Sequence, residues 1–495
     1  MDTKLNILAD QPIGTIAPRL YGHFAEHLGR CCYDGLWGAN AAGVNSFRQN
    51  VITALKALPV PMLRWPGGCY ADHYHWRDGI GPTDRRVRRL GMSCGLQVED
   101  DNSLDTHEFI DLCQRIGAEP YLAGNVGSGT PQELCDWVEY CNAAIDTTLV
   151  RERRVNGADQ PFGVKVWGVG NENWGCGGNF DASSYAREYR RFATMLRHVD
   201  PQIELVISGS GDALATSDTL DTWNVEMLQT LRPHLGLVDH LSVHRYWING
   251  GPETAFSADE YYGLLNEAQL TEDLIVRTAA LLQEESPHRK IGIALDEWGV
   301  WHPEAREWGP GQVARRSPVT YEQANTLRDA LAVGVALETF HRHCDVLSMA
   351  NLAQIVNVLQ SVVMTAGQQM WLTPTYYALQ LHTPHLGATA LPVAIEGGNI
   401  LPDGSSAVTA TASRGSQGTA VTLINRHYTQ ETVVRFEALG MQGQAQLLSA
   451  DQANAVNSLA QPDRVRTAAL AVAREGSHGW CLELPPHSLA TVVIA

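Results

Sequence analysis

Two stretches of the chain drive an apolar run into a carboxylate. In KVWGVGNENWGCGG (165–178) mostly apolar residues reach Gly170, and Glu172 then stands between Asn171 and Asn173. In IALDEWGVW (293–301) a second run ends on Glu297, again beside aromatic residues. A lone polar turn after a buried strand is common, but two such carboxylates at one rim suit hydrolysis of a glycosidic bond. One protonates the leaving oxygen while the other attacks or activates water. The pair works only if its environments push the two pKa values apart. An acid in apolar, aromatic surroundings is raised by desolvation, whereas a nucleophile bonded to nearby donors stays ionised. Paired rim carboxylates also serve metal-assisted hydrolases and isomerases. Here the surroundings favour sugar chemistry: Trp65, Trp76, Trp174, Trp247, Trp298 and Trp301 fall on or near predicted strand ends. Indole faces stack on sugar C–H surfaces, although each indole taken singly is equally a core residue.

These carboxylates need a frame, and the period of the chain predicts one. Eight short apolar runs recur: 19–24, 60–68, 119–127, 164–172, 203–210, 238–247, 290–298 and 346–357. Helical patterns separate them, such as SLDTHEFIDLCQRIG with Ser103 or Asp105 as N-cap, and DASSYAREYRRFATMLRHVD entered after Asn179 or Asp181. Near-continuous apolar strands between helices indicate a parallel sheet covered on both faces. Eight units fit an α/β fold of the (β/α)8 TIM-barrel type, with its active site at the strands' C-terminal ends. The odd polar residues fall at those ends: Glu26, Asn125, Glu172, His244, Tyr246, Glu297, Gln354 and Asn357. A doubly wound sheet would carry a phosphate-type loop, and no G-x-G-x-x-G follows the first strand. Beyond about residue 385 the pattern changes to period-two alternation between turn residues, which predicts an antiparallel β-sandwich. TKLNILAD reads as another strand of that sandwich. The expected division is a barrel over 14–384 and a sandwich of 1–13 with 385–495.

Bulk properties exclude several partners. The 495 residues are 44% hydrophobic and 18% charged, with a formal charge of −18. That charge argues against nucleic acid or an anionic membrane as a main partner. No apolar run approaches the roughly 20 residues of a spanning helix. The opening MDTKLNILAD lacks a basic region followed by an apolar one, so no signal peptide is expected. Ten scattered cysteines without a C-x-x-C pair predict reduced thiols in a cytoplasmic protein, most of them small core residues, and no disulfide framework.

Two readings from other classes compete. HFAEH places His23, Glu26 and His27 in the H-x-x-E-H order of a zinc metallohydrolase, which requires both histidines on one helix face. That motif has no evident third ligand and leaves the other strand-end residues unexplained. A non-catalytic sugar-binding module would have no use for two tuned carboxylates.

The longer motifs carry a family resemblance. GNENWGCGG, DEWGVW, YGHFAEHLGRCCYDGLWG, LRWPGGCYADHYHWRDGIGP, EDDNSLDTHEFIDLC, NLAQIVNVLQS and LPPHSLATVVI occur in the order seen in the α-L-arabinofuranosidases of glycoside hydrolase family 51, which the chain resembles. The resemblance implies a barrel with a jelly-roll-like sandwich, a hexamer, and a retaining, exo-acting enzyme that takes arabinose from arabino-oligosaccharides. It implies no cofactor and no metal. A pocket preferring galactofuranose or xylose is the alternative within the same class.

By the same resemblance Glu172 is the acid/base and Glu297 the nucleophile. Asn171 binds the furanose 2-OH, while Glu26 meets sugar hydroxyls with Cys69 packed beside them. Tyr246 supports the nucleophile, Gln354 reaches the hydroxymethyl side, and Trp301 forms part of the wall. Arg64 and Asn125 are supports. Two residues depart from the family pattern: Cys94 stands where relatives have tryptophan, and Gly299 where many have asparagine.

Overall fold

The computed structural model describes residues 2–40, 42–211, 219–306 and 321–495. Eight parallel strands close into a barrel: β1 (Gly22–Phe24), β2 (Met62–Trp65), β3 (Glu119–Gly124), β4 (Val166–Val169), β5 (Glu204–Ser208), β6 (His240–Trp247), β7 (Gly292–Val300) and β8 (Leu347–Ala353). Seven of them lie within the predicted apolar runs, and β7 outruns its own, 290–298, by two residues. Helices follow the strands and cover the barrel, so strands such as β2, β4 and β7 are buried along their whole length. Inside, Met62, Tyr121, Val166, Val206, Ala294 and Met349 pack into a separate apolar cluster that fills the barrel.

The helix signals hold at residue level. Asp105 caps Thr106–Ile116 with a capping box closed by Glu108, and Asp181 caps Ala182–Val199. Helix Leu327–Arg342 is buried nearly throughout because it lies between barrel and sandwich; Gly334 admits Leu489 and Ile424 there.

The sandwich has two sheets. One runs Val393–Gly397, Asp2–Ile7, Thr432–Glu437, Gly479–Leu484, Ala473–Glu475; the opening strand pairs antiparallel to Val393–Gly397 and parallel to Thr432–Glu437. The other holds seven strands, among them Val408–Gly415, Gly418–Asn425 and Ser488–Ile494. Leu5, Val434 and Phe436 of the first sheet meet Val421, Leu423 and Val492 of the second.

Two expectations are corrected here. The HFAEH segment is not a helix: His23 lies in β1, and Glu26 and His27 follow in a loop. A three-residue strand followed by a turn cannot align two histidines on one face. Nor are all ten cysteines free. Cys69 and Cys176, 107 residues apart, are joined in a disulfide with Cα atoms 5.4 Å apart. The loops after β2 and β4 bring them together, a proximity made by barrel closure and invisible in local spacing. The remaining eight are thiols.

Candidate active site

The strand ends converge on one small pocket, lined by Glu26, Cys69, Cys94, Glu172, Tyr246, Glu297, Trp301 and Gln354, with Leu28, Gly68 and Leu359 between them. Seven of the eight predicted site residues are in that lining. The eighth, Asn171, is buried beside it and accepts from Arg64 Nη2 at 2.5 Å through Oδ1. Larger, more open hollows lie on the sandwich edge and at the opposite end of the barrel, but no buried carboxylate lines any of them.

Glu172 follows β4 at φ +42°, a left-handed conformation that L-residues rarely adopt. The surrounding loop holds it there. Asp72 accepts backbone N–H groups from Val126, Gly127 and Asn171, tying the loops after β3 and β4 to the segment after β2. Glu297 sits within β7, whose register against β6 shifts between Val243 and His244. Such a bulge re-aims side chains. Both neighbours therefore reach across the barrel, Asp296 to Tyr121 and Asn351 and Glu297 to Arg64 and Tyr246.

The two carboxylates are 7% and 6% exposed, and one oxygen of each lies within 4.8 Å of the other. His244 stands between them, its Nδ1 2.8 Å from Glu172 Oε1 and 3.6 Å from Glu297 Oε2. Burial works against the charge on His244, but Glu297 and the hydrogen bond to Glu172 outweigh it and raise its pKa. Glu297 accepts from Arg64 Nη1 at 3.0 Å and from the Tyr246 hydroxyl at 2.7 Å. Burial pushes its carboxyl up, yet His244, Arg64 and Tyr246 together hold it below the ordinary glutamate value.

The floor is built around Glu26, which accepts from Tyr70 N–H (3.0 Å), Ser93 Oγ (2.7 Å) and Gln354 Nε2 (3.0 Å). Burial, followed by the charge of Glu297, pushes its pKa up to about 7. Gly67 and Gly68 let the loop after β2 pass against both acids. A Cβ at Gly67 would lie 2.6 Å from Glu26 Cγ, and one at Gly68 2.7 Å from Glu297 Oε1. Asn171 Nδ2 and Gln354 Oε1 are buried with no hydrogen-bond partner, a donor and an acceptor free for ligand hydroxyls.

Trp301 meets the Tyr246 ring edge-on at 5.1 Å and donates from Nε1 to the Ala305 carbonyl. Cys94 occupies the tip of the hairpin Arg89–Ser93/Leu96–Asp100, at the pocket rim, where its carbonyl accepts from the Tyr321 hydroxyl. Gly299 adopts φ +135°, a conformation open to glycine. Asn125 is outside the pocket lining; it donates to the Tyr74 carbonyl and Ser128 Oγ and accepts from Gly129 N–H, which shapes its own turn.

Sequence reasoning missed Asp72, Ser93 and the central place of His244. Only His244 left a signal, since on a strand it shares a face with Tyr246, two residues on.

The ligating atoms of Glu172, His244 and Glu297 lie close enough to hold a cation, but Arg64 beside Glu297 and the His244–Glu172 hydrogen bond use those positions already. The zinc reading fails on geometry as well. Glu26 is committed to three donors, His27 Nε2 accepts from Trp65, and burial drives His23 down to about 3.

A closed parallel barrel with paired, oppositely supported carboxylates after its fourth strand and within its seventh defines a glycoside hydrolase. Residues 54–246 match the alpha-L-arabinofuranosidase 1 domain, and residues 296–488 the alpha-L-arabinofuranosidase C-terminal domain. An intracellular exo-alpha-L-arabinofuranosidase from Bacteroides ovatus is 36% identical over 99% of this chain and 95% of its own. The GH51 arabinofuranosidase from Xanthomonas axonopodis pv. citri superimposes with a TM-score of 0.90 at 34% identity, covering 100% of both chains. An alpha-L-arabinofuranosidase from Thermotoga maritima, solved as an arabinose complex, gives 0.83 at 28% identity over 99% of both. The chain belongs to the α-L-arabinofuranosidases of glycoside hydrolase family 51. Among the described residues no helix is long and apolar enough to cross a membrane.

Proposed function

We propose that this chain is a retaining, exo-acting α-L-arabinofuranosidase that releases terminal non-reducing arabinofuranose from arabino-oligosaccharides. The observation that carries the reading is the approach of one oxygen of Glu172 to one of Glu297 within 4.8 Å, with Arg64 and Tyr246 donating to Glu297 and His244 hydrogen-bonded to Glu172. Carboxyl groups ~5–5.5 Å apart go with a covalent intermediate, whereas inversion leaves roughly 6.5–9.5 Å for a water.

Glu297, kept ionised by Arg64, Tyr246 and His244, attacks the anomeric carbon. Glu172 gives its proton to the leaving oxygen, and His244 withdraws or returns the hydrogen bond at Oε1 as that charge changes. Glu172 then takes a proton from water, and the water cleaves the glycosyl ester on Glu297. Asn171 Nδ2 donates to the 2-OH, while Glu26 and Gln354 receive the hydroxyls at the floor. Hairpin 89–100, held to Glu26 through Ser93, closes that floor and favours terminal sugars. Cys69 supports the reading differently from expectation, as a wall residue tied to the loop of the acid.

The barrel at 14–384, the sandwich of 1–13 with 385–495, a homohexameric assembly and a cytoplasmic location complete the proposal. A panel of nitrophenyl α-L-arabinofuranoside, β-D-galactofuranoside and β-D-xyloside tests it, with proton NMR of the first product. Preference for the arabinofuranoside with the α-anomer formed first is expected; preference for another sugar, or initial β-arabinose, overturns it.

A further inference from the structure

We propose that the reduced form of Cys69 and Cys176, together with Glu172, binds one thiophilic divalent cation such as Zn²⁺ or Cd²⁺, and that this cation silences hydrolysis. One ligating atom of each of the three residues lies within 4.8 Å of the others. Cys176 Sγ is 3.7 Å from Glu172 Oε2, the oxygen that His244 does not use. Cys69 lines the pocket, and Cys176 is exposed at the rim, so reductant and cation can both reach the pair.

Reduction by a dithiol breaks the S–S bond. Each sulfur takes one electron and one proton, and the dithiol becomes a disulfide. A cation then displaces both thiol protons to solvent. Two thiolates at ~2.3 Å on a tetrahedral ion stand about 3.8 Å apart. With Cα atoms 5.4 Å apart, rotation about the two Cα–Cβ bonds supplies that opening. Glu172 Oε2 is the third ligand and water the fourth, the open coordination that zinc adopts in three-residue sites. The ligand set carries one excess negative charge, and Arg64 and His244 stand on the same side of the barrel to offset it. No other cysteine takes part in such a group among the described residues. A reducing cytoplasm favours the dithiol form.

The inhibitory half rests on reading Glu172 as acid/base, because coordination pins the carboxylate that must exchange protons. The two halves are separable by experiment. The protein is reduced with a phosphine, desalted without oxygen and titrated with Cd²⁺ alone. The thiolate-to-cadmium ultraviolet band and hydrolysis of nitrophenyl α-L-arabinofuranoside are read in parallel.

The expected result is a band saturating at one equivalent, a fall in hydrolysis of at least tenfold along the same curve, and recovery with a chelator. The oxidised protein keeps eight cysteines outside the disulfide, Cys94 included, and should show neither response. Cys176→Ser should lose the band, and Glu172→Gln should retain it with binding weaker by roughly tenfold or more, since loss of even an outer partner of a ligand costs about 10–100-fold. An equal band in oxidised protein, or in Cys176→Ser, overturns the site, as does no band in the reduced protein. A saturated band with hydrolysis intact supports the site and overturns the role of Glu172.

Discussion

At each end of the barrel an arginine and a histidine stand against a pair of glutamates. At the N-terminal end Arg19 forks to Glu119 (2.7 Å) and Glu204 (2.6 Å), and His240 reaches Glu204 at 2.9 Å. At the C-terminal end Arg64 and His244 stand among Glu172 and Glu297. One strand, β6, supplies both histidines, four residues apart. The difference is in how the polar atoms are used. The lower glutamates spend their oxygens on a bidentate cation and are about a third exposed or less, so the network completes itself. The upper ones are buried in a pocket where Asn171 and Gln354 retain unpartnered atoms. The same residue types make a closure where their hydrogen bonds are saturated, and a reactive site where they are not.

Removing the upper acids should break this comparison most visibly. Glu297→Ala should lower kcat/KM roughly 10⁴-fold or more on every substrate. Glu172→Ala should cost ~10²–10⁴-fold with poor leaving groups, but far less with an activated aryl arabinoside that departs without protonation. Azide should restore turnover to Glu172→Ala alone. If both variants show the same dependence on leaving-group pKa, the assignment of roles is wrong.

Next in size is the pH response of the upper site. Glu297 must be ionised, and its depressed pKa puts the acid limb of kcat/KM below the ordinary glutamate value of 4.5. Tyr246→Phe removes the donor to Oε2 and should move that limb upward by about one pH unit. A limb that stays in place would show that Tyr246 does not hold the nucleophile.

The lower network should behave in the opposite sense. Arg19→Ala should leave kcat and KM alone but reduce stability by about 1–3 kcal/mol, measured by urea unfolding. A hydrogen bond from His240, set against partial burial and joined by Arg19, brings Glu204 down to about 2 from 4.5. A depressed carboxylate stabilises the fold above its unfolded pKa, and that stabilisation is lost as pH falls towards the folded value. Glu204→Gln should therefore flatten the loss of stability between pH 4.5 and about 2. An unchanged pH slope would contradict this ledger of paired charges.

How much of this could be read beforehand follows from range along the chain. The eight strands were legible because each is a buried, nearly continuous apolar run, and the acids because they interrupt such runs at their ends. Asp105 and Asp181 were legible because a cap acts within three residues. The disulfide, Asp72 and Ser93 act across loops that meet only after barrel closure, and no local period encodes them. HFAEH misled for the converse reason, since a five-residue spacing says nothing about whether its backbone is helical.

The smallest expected effect lies at the pocket rim. Cys94 offers little surface at the pocket rim, so Cys94→Trp should lower KM for some arabino-oligosaccharides by a few-fold, worth ~1 kcal/mol of stacking. The kcat for an aryl arabinoside should hardly move, because that binding is remote from the breaking bond. Unaltered oligosaccharide kinetics would remove Cys94 from the leaving-group side.

The division of labour between the two upper glutamates is tested most directly by trapping the intermediate. Glu172→Ala, mixed with an activated aryl arabinofuranoside, should build up a pentosyl enzyme because no base remains to activate water. Peptide mass spectrometry after a rapid acid quench should find the sugar on the peptide bearing Glu297. An adduct on another carboxylate, or rapid turnover with inverted configuration and no adduct, would contradict the account.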